Sequence, residues 1–392
     1  MLTAIIRGAT VMGVLAFAAM ALGVRPATGA GSRDTNASGA STPQLVEDDR
    51  GLVRLTEPED AEAAAALAVE QVEDLGSDAT VTRAGGFIIV SDADARWTQA
   101  RAALIQRARH QYERFADRLG FALTEPEEPL LCVLINDHDA YTRFAQAHDG
   151  VQAGWVAGYY ASLSNRIVFY NDETSPAAAQ AAERLAEYDR VVTEARTLAA
   201  QARKEKRADV AASLEARAGE MGSRLKAERK KVERSTRVSA EAKAVHEAVH
   251  LLAFNTGLQR RDRQYPFWLT EGLASSFETE RTGAAFGPDH EFAPRRKDFD
   301  RLRDADRLLP LEVLVQLNSV PDDDEETAEV MYAQSYTLFR YLFRYERAAL
   351  AEFFRDYLRE PAGRIGPKRQ LELFRARFGD VAALERVFLK RG

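Results

Sequence analysis

Residues 245–254 read VHEAVHLLAF, and no other stretch restricts the chain as much. Val245, Val249 and Leu252 recur at helical spacing, and Asn255-Thr256-Gly257 offers a C-terminal stop. One helix is therefore expected over residues 240–255, with Ser239 as its N-cap. On it His246 and His250 stand four apart and share a face. Two imidazoles one turn apart can bind a Zn2+ ion through ring nitrogens at about 2.0–2.1 Å, and Glu247 beside the first can reach a water at the ion. Catalytic zinc takes three protein ligands and keeps a position open, so the fold must bring another element to this helix.

The segment PFWLTEGLASSFETE supplies one. Glu271 follows His250 by twenty-one positions, where Pro266 and Thr270 mark the start of a further helix. Packed against the first helix, it carries this carboxylate to the metal. Glu278 falls seven positions on, about two turns along the same face, where it can accept a hydrogen bond from a ligand histidine. The alternative for Glu278 is an ordinary exposed glutamate.

The rest of the chain sets the frame. Its 392 residues are 46% hydrophobic and 29% charged, enough for one larger or two ordinary domains with a true core. The net charge is −7 and the basic residues are spread out, which argues against nucleic acid as a partner. Arg7, an apolar run and small residues ending at Ala30 have the three-part pattern of a secretory signal peptide over residues 1–30; an uncleaved membrane anchor is the alternative. Either reading takes the chain out of the cytoplasm, to a secreted or periplasmic location. Residues 31–56 have the composition of a flexible linker, and an Ala/Glu-rich helix is expected at 57–75.

An N-terminal part over residues 57–175 combines that helix with a small mixed sheet: a strand in GFIIVSD, a helix from Trp97 to Leu119, a buried strand in PLLCVLIND, a second helix in DAYTRFAQAH, and a hairpin turning near Ser164-Asn165. Cys132, alone in LLCVLI, reads as a buried strand residue. Residues 176–237 turn to Ala, Glu, Arg and Lys and are expected as an inserted antiparallel helical hairpin broken near 206–209. It is either an arm for a protein partner or a solvated insertion. Residues 238–392 then hold the HExxH helix and an all-helical C-terminal part, with a turn at Gly379-Asp380. His290, in a Gly/Pro loop, is a surface histidine or a substrate contact.

An H-E-x-x-H followed some twenty residues later by W-L-x-E-G-x-A resembles the gluzincin metallopeptidases, the group of thermolysin and aminopeptidase N, and most of all the exported bacterial gluzincin-like domains of unknown function. The resemblance implies an α+β, zincin-like fold. It implies zinc held by His246, His250 and Glu271, with Glu247 as general base. YAQSYTLFRYL is similar to the helix whose leading tyrosine stabilises the oxyanion in aminopeptidase N-type enzymes, which implies that role for Tyr332, with Tyr336 as runner-up. Aminopeptidases carry a glutamate in their substrate-pairing edge strand to hold a free amine, and AGYYASLSNR has none, which favours an endopeptidase.

The reading implied is an exported zinc-dependent peptidase acting on peptide or protein substrates. A catalytically inactive gluzincin-fold module that binds peptides or cell-envelope partners is the first alternative. A structural coiled-coil protein with accidental histidines is the second.

Overall fold

The computed structural model describes residues 45–47, 53–55, 75, 79–127, 129–151, 156–321 and 324–391. The expected signal peptide, most of the expected linker and, Leu75 apart, the expected helix at 57–75 lie outside the described residues. Inside the expected linker, Leu45–Glu47 (β1) pairs antiparallel with Val53–Leu55 (β2), which polar composition did not signal. The fold is α+β, mostly helical with one small mixed sheet. Among the described residues no helix is long and apolar enough to cross a membrane. The chain divides into two compact units, Asn171–Ala240 forming one and the segments up to Tyr170 and from Glu241 onward the core of the other.

The larger unit contains a five-stranded sheet of Thr80–Ala84 (β3), Phe87–Ser91 (β4), Leu130–Ile135 (β5), Gly158–Ala161 (β6) and Arg166–Tyr170 (β7), in the order β3-β4-β5-β7-β6. β4, β5 and β7 run parallel, and the edge strands β3 and β6 are antiparallel to their neighbours. Gly85 and Gly86, both at positive φ, make the tight β3–β4 turn. The runs FIIVS, LLCVLI and RIVFY are buried along their whole length, as strands covered on both faces must be. Ile88, Val90, Leu131, Val133 and Val168 pack one face against Tyr141 and Phe144 of helix α2, His138–Asp149. On the other face Phe169 meets Trp97 of helix α1, Ala95–Leu119, at 6.5 Å between ring centroids. Cys132 is fully buried there and burial pushes its thiol pKa up, so it is an inert core residue, as its setting in LLCVLI suggested.

Asp149, at the end of α2, fastens the β6–β7 hairpin. It accepts from Arg166 Nη2 at 2.9 Å, Tyr159 Oη at 2.8 Å and Ser164 Oγ at 2.8 Å. The turn lies where expected, with Asn165 in a left-handed conformation at φ 50°.

The smaller unit is the expected helical hairpin. Pro176–Lys204 (α3) starts on Ser175, whose side chain accepts from Ala178 N, with Pro176 in the first turn. Lys206 turns the chain at φ 58°, and Ala208–Asn255 (α4) follows. Arg203 pairs with Glu215 at 2.6 Å and Gly222 faces Val192, so the two helices run antiparallel.

The helix start expected at Ser239 does not occur. α4 runs unbroken into the motif helix, and the boundary drawn at 237/238 falls inside it. Ser239 is followed by the strong helix formers Ala240, Glu241, Ala242 and Lys243 and no proline is nearby, so the helix continues through it.

Beyond α4 the chain is helical: Phe267–Ser275 (α5), Ala293–Asp304 (α6), Leu311–Leu314 (α7), Glu325–Tyr345 (α8), Arg347–Arg359 (α9), Pro367–Phe378 (α10) and Val381–Arg391 (α11). One exception to the all-helical expectation is the short parallel pair Arg263–Gln264 (β8) and Gly363–Arg364 (β9). α5 and α8 lie in close contact: a Cβ at Gly272 would come 2.6 Å from the Ser335 carbonyl oxygen, so only glycine lets the two backbones approach this far.

Candidate metal centre

Residues 242–254 of α4 are buried on every side, which makes this segment a central helix of the larger unit. Its polar groups therefore need partners. His246 is 1% exposed, Glu247 2%, His250 6% and Glu271 4%, close to the interior limit for ionisable side chains. Phe254 stacks on Tyr160 at 5.2 Å, and Asn255 exchanges two amide hydrogen bonds with Asn165, at 2.8 and 2.9 Å. These contacts fix the far end of α4 against β6 and the turn that follows it.

α5 delivers Glu271. His246 Nε2 lies 3.1 Å from Glu271 Oε2, His250 Nε2 lies 3.3 Å from Glu271 Oε1, and the two Nε2 atoms are 3.1 Å apart. One ligand atom from each of the three residues lies within 4.8 Å of the others. A tetrahedral ion with ligands at about 2.0–2.1 Å has ligand–ligand edges near 3.3 Å. The two imidazole nitrogens stand near the length of one such edge, and Glu271 lies against both through its two different oxygens.

This packing sets the charges of the group. Burial by itself lowers the His246 pKa, but hydrogen bonds to Glu271 and Glu278 and the charges of Glu247 and Glu271 outweigh it and push the value up to about 10. Burial raises the Glu271 carboxyl, yet His250 and His246 hold it well below the usual carboxylate range. The buried Glu271 carboxylate and the His246 imidazole thus favour each other's charged form. Glu247 is raised, chiefly by burial, against the lowering effect of His246, His250 and Lys243. A divalent cation beside it would pull that value down again.

Glu278 reaches the site by a different route from the one expected. α5 ends at Ser275, so no shared helix face carries it; the turn after the helix does. Its Oε1 lies 3.0 Å from His246 Nδ1, so Nε2 is the ring nitrogen turned to His250 and Glu271. Burial pushes the Glu278 pKa up, but the charge of Arg295 and hydrogen bonds from His246 and Arg295 bring it below its ordinary value.

Tyr332 is buried with its ring 6.4 Å from the His246 ring and edge-on to Phe267 at 5.1 Å. Tyr336 faces elsewhere: its hydroxyl accepts the Phe292 N–H at 2.7 Å. His290 is exposed in a turn two residues before Phe292, its N–H bonded to Gly287 O.

Two residues escaped the sequence reading. Arg295, 4% exposed, donates to both carboxylate oxygens of Glu278 at 2.9 and 3.0 Å. Lys243, 1% exposed and one turn before Glu247, donates from Nζ to Tyr170 O at 2.9 Å and lies 4.1 Å from the Tyr170 ring centroid. Neither had a signal, because isolated basic residues on helices normally face water.

A family model described as a protein of unknown function, DUF1570, matches residues 241–362, which include His246, Glu247, His250, Glu271, Glu278, Arg295 and Tyr332. No curated protein and no solved structure was found to match the chain.

Proposed function

We propose that the chain is an exported zinc-dependent peptidase of gluzincin type with a zincin-like fold, most consistent with an endopeptidase. The observation that carries this reading is the convergence of His246, His250 and Glu271 at tetrahedral-edge spacing, with Glu247 buried beside them. An accidental pair of histidines on a coiled coil has no reason to meet a third buried ligand from another helix.

His246, His250 and Glu271 would hold the zinc. The ion supplies positive charge that polarises a carbonyl and makes a water molecule acidic near neutral pH. Glu247 accepts the proton of the attacking water and passes it to the departing amine. Tyr332 donates toward the carbonyl oxygen as it gains charge, an interaction worth about 3 kcal/mol for a single donor. Glu278 holds His246 in one tautomer and one orientation. β6, an edge strand of sequence GYYA, can pair with an extended substrate backbone and offers no carboxylate to a substrate amine, which favours internal cleavage.

The test is cleavage of a mixed peptide library by the chain from about residue 31 onward, with and without chelator. Chelator-sensitive cleavage at internal bonds, absent in Glu247→Gln, supports the reading. Zinc binding with no cleavage of any library member moves it to the inactive peptide-binding module.

A further inference from the structure

Resting on the zinc reading above, we propose that Arg295 is a positioning residue that joins the metal-ligand side of the site to its tyrosine side. Its guanidinium fork grips Glu278, Nε to Oε2 at 2.9 Å and Nη2 to Oε1 at 3.0 Å. The same Oε1 accepts from His246 Nδ1 at 3.0 Å. On its other side the Arg295 Cζ stands 5.2 Å from the centre of the Tyr332 ring. One buried cation therefore touches both the carboxylate that orients a ligand histidine and the ring expected to face the substrate oxygen.

The physical argument rests on planarity. A carboxylate that accepts only from His246 can rotate about its last bond and carry the imidazole with it. Two parallel N–H bonds from a guanidinium fix that carboxylate in one plane, which a lysine, a point charge on a flexible stem, cannot do. The ring above packs on the same planar group. Tyr336 braces the start of the helix that carries Arg295. That hydroxyl accepts the Phe292 N–H at 2.7 Å, just before the first turn of α6, where Arg295 sits. The two tyrosines of α8 thus divide the work: Tyr336 anchors the helix start, and Tyr332 receives the guanidinium that the start presents.

Zinc affinity is measured by competition with a chromophoric chelator for the wild type, Arg295→Met, Arg295→Lys, Glu278→Gln and the double variant Arg295→Met/Glu278→Gln, with circular dichroism as the folding control. Loss of an outer partner of a ligand histidine weakens metal binding about 10–100-fold, and that is the loss expected for Arg295→Met. Arg295→Lys is expected to fall between it and the wild type. The double variant is expected to bind no more weakly than the weaker single, because Arg295 acts through Glu278. At saturating zinc, Arg295→Met keeps its KM and loses kcat, since Tyr332 no longer rests on the guanidinium. If Arg295→Met does not fold, Arg295→Lys decides. Wild-type affinity in the Arg295 variants, or losses that add in the double variant, overturns the proposal, and an unchanged kcat overturns its tyrosine half. A wild type that binds no zinc overturns the metal reading itself, and this inference with it.

Discussion

The ring of Tyr332 stands 6.4 Å from the ring of His246, centroid to centroid, while the hydroxyl of Tyr336, one turn later on the same helix, is bonded to the backbone of Phe292. Two tyrosines that look equivalent in sequence therefore have different consequences when changed. Tyr332→Phe is expected to lower kcat by about 10²–10³-fold with little change in thermal stability. Tyr336→Phe is expected to leave a buried N–H without its acceptor and to cost about 1–3 kcal/mol of stability. Steady-state kinetics and thermal melts on both variants separate the roles, and equal kcat losses would remove the assignment of Tyr332.

Glu247→Gln keeps the shape of the general base and removes its proton affinity. The variant is expected to bind zinc as the wild type does and to lose about 10²–10⁴-fold in kcat. Metal content and peptide cleavage measured on the same preparation check it. A variant that loses zinc as well would show Glu247 to be a ligand or a structural group.

Gly272→Ala places a methyl group 2.6 Å from the Ser335 carbonyl oxygen and 2.9 Å from Phe339 Cβ. Both obstacles belong to the body of α8 and cannot swing aside. A loss of about 1–3 kcal/mol is expected, as for overpacked cores, with kcat falling as well because α8 carries Tyr332 past this contact. Chemical denaturation gives the first figure, and stability equal to wild type would mean that α5 and α8 lie further apart.

In the metal-free chain His246 keeps its proton up to a pKa of about 10, against an ordinary 6.5. A raised value stabilises the fold fully below 6.5, and the contribution is lost as pH rises through 10, so the melting temperature of chelator-treated protein is expected to fall across that window. Glu271 and Glu278, both held below 4.5, act with the opposite sign, and their contribution disappears as pH drops beneath that value. Zinc takes the place of the His246 proton, so binding at pH 8 is expected to release about one proton, read by calorimetry in buffers of different ionisation enthalpy. Zinc uptake without proton release would contradict the charge state assigned to His246.

Much of this site was legible because it depends on local period. Helical spacing puts His246 and His250 on one face whatever the fold, and a helix beginning at Pro266 presents Glu271 in its first turns. The buried strands FIIVS, LLCVLI and RIVFY announce themselves as apolar runs for the same reason. What stayed hidden depends on how the chain returns to itself. Glu278 arrives from a turn after α5 has ended, although the sequence suggested a helix face. Arg295 lies seventeen residues beyond it in APRR, where nothing in the sequence marks it; only tertiary packing puts it against Tyr332. The missed continuity of α4 turns on Ser239: it has capping chemistry, but the Ala-, Glu- and Lys-containing run after it is helix-forming and buried, and the helix passes through.

Zinc per chain in the purified wild type and in Glu271→Ala, measured together by elemental analysis at neutral pH, tests the central claim most directly. About one zinc in the wild type and almost none in the variant is the predicted result, since two histidines alone leave a catalytic site one ligand short. A wild type without zinc, or a variant that retains it, would contradict the assignment of His246, His250 and Glu271 as a metal centre.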